Sequence, residues 1–418
     1  MKLKKTKKVT YVNEKTLIVT VDIGKNVHYA YFRAPNKKEI KPFPIYNRKE
    51  SFDKLWSKIS QFQREQELKE VVIGYESTGC YAEPLCHYFW KKPVKLVQVN
   101  PMHTKRVKEL TGNSPNKTDR EDPRVIADLI SLGHALTVVI PEGAAAELRR
   151  LSRTREREVK DRTAKMNQLQ NLMYVIFPEF LNIIDISTKS AISLIKNHPT
   201  PESIVLMGVE NLYALLKKVS RGRLGKERAE ELFFAAKDSI GINQGKKSIL
   251  MDIERLVLQI ESHDIFIERL EERMVAYLEQ ISYSKFILSI KGISTITVAG
   301  LIGEVGDFKA FDTISEIIKM AGLNLFEVSS GKHKGERHIS KRGRSLMRKL
   351  LYFAALNAVK SDGILHDYYH SRLKSGMLKT KALIAVSRKL LKIIFAVARN
   401  NTVFIENHLK KPINNYVA

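Results

Sequence analysis

The chain has 418 residues, 44% of them hydrophobic, and a formal net charge of +26 from 71 Lys+Arg against 45 Asp+Glu. That length allows two or three domains with separate cores, and the charge points to a polyanionic partner, nucleic acid before an anionic membrane. No apolar run approaches the roughly 20 residues of a spanning helix, and Cys80 and Cys86 are spaced for neither zinc nor a disulfide framework. Both cysteines read as small buried residues in a reducing compartment.

The first stretch, MKLKKTKK, carries five lysines with no apolar segment behind it, so residues 1–14 read as a disordered basic arm rather than a secretory signal. From 15 to 144 strand-like and helix-like segments alternate. TLIVTVDIG is a β-rich run ending in Gly24; HYAYFRAP and the stretch around KPFPIYN follow as neighbouring strands turned by PNKKE. SFDKLWSKISQFQREQ has helical periodicity, with Phe52, Leu55, Ile59 and Phe62 along one face. EVVIGYEST reads as a strand, LCHYFW as part of a helix, KLVQVNP as a strand and PRVIADLISLG as a helix. Three strands followed by alternation predict an α/β layer fold.

From 145 to 285 the strand signal disappears. ELRRLSRTREREVKDRTAKMNQLQNLMYVIF reads as one long charged helix whose apolar seam (Met166, Leu169, Met173, Ile176) also takes in Arg155 and Arg162. In a second long segment Ile253, Ile260, Ile267, Met274 and Ile281 share one heptad position, and Leu256, His263, Leu270 and Tyr277 the other. Four heptads of this pattern predict a coiled coil or an antiparallel helical pair, with an intramolecular bundle as the plainer alternative. His263 is expected there as a tolerated polar residue rather than a ligand. The remainder, 286–418, is helix-rich and basic, so the whole chain is α/β plus all-α. Between Lys332 and Lys349 eight Lys or Arg residues face one acid, Glu336.

Carboxylates mark the strand ends. Asp22 closes the first strand in VDIGKN, and Glu76 closes another in VVIGYESTG. In an open α/β sheet, ligands collect at the carboxyl ends of strands. A third group, Asp119, Glu121 and Asp122, opens the helix in KTDREDPRVIADL. Together these acids would form an oxygen-rich pocket suited to Mg²⁺ or Mn²⁺, which can activate a nucleophile and stabilise a leaving oxygen in phosphoryl transfer. Asp22, Glu76 and Asp122 also have ordinary structural explanations, whereas Asp119 has none and Glu121 reads as solvent-facing. A strand-end Asp often satisfies its own turn, and Asp122 before Pro123 has the form of an N-cap followed by an N1 proline.

VDIGKN, GYESTGCYAEPL, VNPMHTKRVKEL and NKTDREDPRVIADL, in that order, resemble the DEDD-type insertion-sequence transposases (the IS110 family). So do KGISTITVAGLIGEVGDFKAFDTISEIIKMAGL and SSGKHKGERHISKRGRSLMRKLLYFAA in the second half. The resemblance covers about 17–145 and 286–360. It implies a RuvC-like (ribonuclease H-like) domain over 15–144, a helical coiled-coil dimerisation region over 145–285 and a small helical transposase domain over 286–418. It also implies that Asp22, Glu76, Asp119 and Asp122 bind the metal. Ser330, just before Gly331, takes the position of the serine that attacks a DNA phosphate to form a phosphoserine intermediate. Further implications are donor and target DNA, a "bridge" guide RNA pairing with both, a dimer that assembles into a tetramer, and a cytoplasmic, nucleoid-associated location. Two features depart from the family pattern. Pro123 stands where a small residue is usual, which puts the helix start at Asp122 and leaves Asp119 on the incoming loop. Ser294 stands where glycine is usual in KGISTITVAG, which otherwise resembles a helix-hairpin-helix phosphate cradle.

Ser330 lies among cations that could hold a phosphate, with His333, Arg337 and His338 as nearby candidates for activation. The candidate nucleic-acid contacts are Lys105, Arg106, Lys332, Lys334, Arg337, Lys341, Arg342, Arg344 and Arg348. Rival readings are a metal-dependent junction nuclease using water, an actin-like ATPase suggested by DIGKN, and a non-catalytic nucleic-acid binder. The ATPase lacks a convincing second phosphate loop.

Overall fold

β1 (Thr16–Asp22) is a wholly apolar-and-threonine run, TLIVTVD, buried along its length except at the terminal acid. A strand of this kind belongs at the centre of a sheet covered on both faces. It does so in the computed structural model, which describes residues 12–76, 79–112, 122–327 and 337–406. The expected basic arm falls mostly on 1–11, outside the described residues. The chain divides into two units between Ile140 and Pro141.

In the first unit β1 is followed by β2 (His28–Arg33), β3 (Glu39–Ile45), α1 (Lys49–Glu65), β4 (Glu70–Glu76), α2 (Glu83–Trp90), β5 (Lys95–Val99), α3 (Pro101–Gly112), α4 (Asp122–Ser131) and β6 (Ala135–Thr137). The strands form one sheet in the order β3-β2-β1-β4-β5-β6. β2 and β3 run antiparallel to their neighbours, β1, β4 and β5 run parallel, and β6 closes the edge antiparallel to β5. The period of two sorts the side chains onto two faces. Leu17, Val19, Val21, Val71, Ile73 and Tyr75 pack with α1 and α2, through Phe52, Leu55, Ile59, Phe62, Leu85 and Phe89. Ile18, Val72, Val97 and Val99 pack instead with Val125, Ile126, Leu129 and Ile130 of α4. Gly74 lets that helix lie close, since a Cβ there would come within 2.2 Å of Ile130 Cδ1.

The second unit is built on two 34-residue helices, α5 (Gly143–Ile176) and, after the short helices α6 (Phe180–Ile183), α7 (Lys189–Asn197), α8 (Pro201–Met207), α9 (Val209–Val219) and α10 (Lys226–Lys237), α11 (Lys246–Glu279). α5 and α11 pack on each other within the chain. The seam residues Ile253, Leu256 and Ile260 are buried with Met166, Leu169, Met173 and Ile176. Farther along, the seam turns polar. Arg155 pairs with Glu271 at 2.6 Å, Arg162 with Asp264 at 2.5 Å, and His263 Nδ1 lies 2.7 Å from Glu158. The arginines that interrupt the apolar pattern of α5 therefore meet acids on α11, which fixes the antiparallel register.

α12 (Ser284–Leu288), α13 (Thr295–Val305) and α14 (Ile314–Met320) follow, then a ribbon of β7 (Leu325–Glu327) and β8 (Arg337–Ile339), then α15 (Ser345–Ala358), α16 (Ile364–Lys374) and α17 (Lys379–Asn400). Nearly all of α13 is buried. Gly303 makes that fit, because a Cβ would stand 2.6 Å from the Arg149 backbone nitrogen of α5. Ser294 caps α13 by accepting a hydrogen bond from the Thr297 N–H, which gives it a structural task at its unusual position. Among the described residues no helix is long and apolar enough to cross a membrane. Cys86 is buried as expected, but Cys80 is exposed, in the turn preceding α2.

Candidate active site

Strand parity decides where the two strand-end acids lie. In the parallel pairing of β1 with β4, Val21 stands opposite Tyr75, and both belong to the face packed on α1 and α2. Asp22 and Glu76, one residue on, therefore belong to the other face, the one α4 covers. Both are half-buried. Asp122 sits at the head of α4, on that same face and 7% exposed. The head of α4 is pinned to β1 by Thr20, whose hydroxyl donates to the Pro123 carbonyl at 2.6 Å. Two carboxylates thus lie at the carboxyl ends of adjacent parallel strands, on the sheet face that α4, headed by Asp122, covers.

Asp122 does not wait alone: Lys108 of α3 extends its ammonium to Asp122 Oδ1. Among the described residues no three His, Cys, Asp or Glu side chains converge closely enough to hold a metal ion. Asp119 and Glu121 lie outside the described residues. Asp22, Glu76 and Asp122 offer carboxylate oxygens, the donor type that hard divalent cations take.

The turn after Asp22 is equally constrained. The Gly24 N–H donates to Nδ1 of His28 at 3.2 Å, and His28 is fully buried. A Cβ at Gly24 would lie 2.2 Å from the Val27 carbonyl oxygen, so only glycine closes this turn.

Ser330, Lys332, Lys334 and His333 fall between 328 and 336, outside the described residues. The ribbon brackets that segment: Glu327 pairs with Arg337 in register, and their side chains join at 2.8 Å.

A family model described as "Transposase", that of the DEDD transposases of IS110, matches residues 19–178, and a second, described as "Transposase IS116/IS110/IS902 family", matches residues 284–370. The chain belongs to this family of insertion-sequence transposases. Similar proteins include the insertion element IS116 uncharacterized 44.8 kDa protein of Streptomyces clavuligerus, 25% identical over 69% of this chain and 72% of that one. The insertion element IS110 uncharacterized 43.6 kDa protein of Streptomyces coelicolor is 22% identical over 92% and 94%. The transposase for insertion sequence element IS1111A of Coxiella burnetii is 23% identical over 82% and 84%.

In this IS110-family chain the candidate nucleic-acid contacts fall into distinct environments. Lys105 and Arg106 are exposed on α3. Lys341 and Arg342 are exposed ahead of α15, Lys341 with a left-handed backbone (φ 53°). Arg344 and Arg348 are engaged inside the helical unit instead. The Arg344 guanidinium reaches the carbonyl and the carboxylate of Glu304, which is 1% exposed, and Arg153 grips the same carboxylate at 2.9 Å. Arg348 donates to the carbonyls of Ala321 and Gly343. Sequence reasoning missed Lys108, Thr20 and His28. Only their position relative to the strand-end acids singles them out, and that requires the register of β1 with β4 and the docking of α4.

Proposed function

We propose that this chain is a DNA-cutting and rejoining enzyme of an insertion sequence, with Asp22, Glu76, Asp119 and Asp122 as its acidic site and Ser330 as its nucleophile. The observation that carries the reading is that Asp22, Glu76 and the head of α4 share one face at the carboxyl ends of β1 and β4. The strand order, with one antiparallel hairpin beside three parallel strands, supports a RuvC-like domain. A Mg²⁺ or Mn²⁺ held by the four acids would polarise a phosphoryl oxygen and steady the leaving oxygen.

The chain's own residues do the rest. Thr20 fixes the entry of α4 and with it the helix head that carries Asp122. Lys108 neutralises Asp122 within its buried setting, and a cation bound there would take the place of its ammonium. Ser330 attacks a DNA phosphorus and expels a sugar oxygen, leaving the strand joined to the protein as a phosphoserine ester. The hydroxyl of a second strand then reverses the attack. A bridge RNA pairing with donor and target DNA supplies the choice of sequence, in the cytoplasm at the nucleoid. The assembly is a dimer that pairs into a tetramer. Met251, Leu258 and Ile265, seven residues apart and exposed on α11, form the stripe a partner helix would cover. The KGISTITVAG turn adds helix-hairpin-helix-like contact to duplex backbone.

Denaturing gels after incubation with DNA spanning the element's ends test the mechanism. A protein–DNA adduct present with the native chain and lost in Ser330→Ala is expected. Cutting without an adduct would mean that water is the nucleophile. RNA that co-purifies and maps beside the gene is the expected mark of guidance; random fragments would remove that part.

A further inference from the structure

The basic helices at the end of the chain enclose a groove lined by none of Asp22, Glu76 and Asp122. It lies among α16, α17 and residues 402–405, with a volume of about 660 Å³. Arg388, Lys389 and Lys392 line it together with the apolar side chains of Ile393, Val403 and Ile405. Val403 and Ile405 are more than half exposed.

The cations are crowded and under-neutralised. Lys389 Nζ stands 4.4 Å from the centre of the Tyr368 ring, and the Arg372 guanidinium carbon stands 4.7 Å from it. Burial, and then the charge of Arg372, push the Lys389 ammonium below its ordinary pKa, with Asp367 opposing. Nε of Arg372 and Nε of Arg388 are buried without a hydrogen-bond partner. Between Ile364 and Glu406 the sequence holds eight Lys or Arg residues and two acids, Asp367 and Glu406. Of these two acids, Glu406 lies 3.9 Å from Lys291. A buried guanidinium nitrogen left unpaired is costly, and like charges gathered in one place need an anion.

We propose that this groove binds a single-stranded segment of DNA, with phosphates on Arg388, Lys389 and Lys392 and bases against Ile393, Val403 and Ile405. Cations beside an apolar wall fit a polyanion with exposed base faces. A duplex would present the same phosphates but keep its bases stacked away. The chain's own following residues, 407–418, carry two lysines and no acid, so they would add to the charge rather than neutralise it. The choice of DNA rests on the reading of the chain as an enzyme that opens DNA strands.

Binding of a fluorescent oligothymidylate of about ten nucleotides to the full chain, in chelator so that no strand is cut, tests the proposal. Lys389→Gln with Lys392→Gln should weaken binding at least tenfold. It should also lower the salt dependence by about 1.4, roughly 0.7 per charge removed. Val403→Ser with Ile405→Ser should weaken binding several-fold with the salt dependence unchanged. Lys392→Glu, at an exposed position, gives a folded variant by circular dichroism should either double substitution unfold. Unchanged affinity in these variants would overturn the site. So would an equal loss for a duplex of the same length, or groove-dependent binding that favours oligouridylate over oligothymidylate. Strand cutting by Asp22→Asn, measured separately, tests the underlying reading without touching the groove.

Discussion

Asp122 in the sheet unit and Glu304 in the helical unit are both buried acids, 7% and 1% exposed, yet they are held in opposite ways. Glu304 is gripped by the guanidinium groups of Arg153 and Arg344. Each is a planar donor fork whose geometry matches the carboxylate. Asp122 meets one lysine ammonium, a point charge on a flexible stem. The first arrangement closes a carboxylate into the architecture, joining α5, α13 and α15. The second satisfies a carboxylate while leaving it exchangeable. A forked partner is expected to lock Glu304 into the fold, and a lone ammonium to leave Asp122 open to exchange with a cation.

The largest expected effect is at the clamped acid. Glu304→Gln breaks a buried ion pair and should cost about 3 kcal/mol, read as a fall in the urea midpoint. Burial alone would raise the Glu304 carboxyl, but Arg153 and Arg344 hold it below the usual carboxylate range. Its folded pKa is depressed, so its stabilisation is full at neutral pH. That stabilisation is lost as pH falls through and below the ordinary carboxylate range. The Gln variant should lack this component of the acid transition. Gly303→Ala comes next, at about 2 kcal/mol, because the added methyl meets α5 backbone rather than a yielding side chain. Thr20→Val should cost about 1 kcal/mol and reduce strand cutting by more than that loss explains, since it frees the head of α4. Smaller still is Lys108→Met. Its diagnostic is the rise in melting temperature on adding Mg²⁺, which should exceed that of the native chain because a competitor has gone. An equal rise would mean that Asp122 is as closed as Glu304.

Much of the sheet was legible. TLIVTVD and EVVIGYE read as buried strands because their apolar runs end in acids at turns, and Asp122–Pro123 marks the start of α4. The three-residue β6 was not, since so short an edge strand carries no periodicity. Nor was α3, whose sequence PMHTKRVKELTG has no sustained apolar face. In the helical unit the heptads of α11 were plain, but Arg155 and Arg162 looked like faults in α5. Only the opposed Glu271 and Asp264 explain them. Arg344 and Arg348 read as a basic face because a run of positive charge does not reveal that Glu304 lies within reach. That Asp22 and Glu76 share a face follows from strand register, which one sequence does not contain.

The most direct test of the account is metal-dependent strand cutting by Asp119→Ala. Loss of cutting is expected with unchanged circular dichroism and RNA binding, because Asp122, not Asp119, stands at the head of α4 before Pro123. Retained cutting would contradict it and return KTDREDPRVIADL to the status of an ordinary helix start.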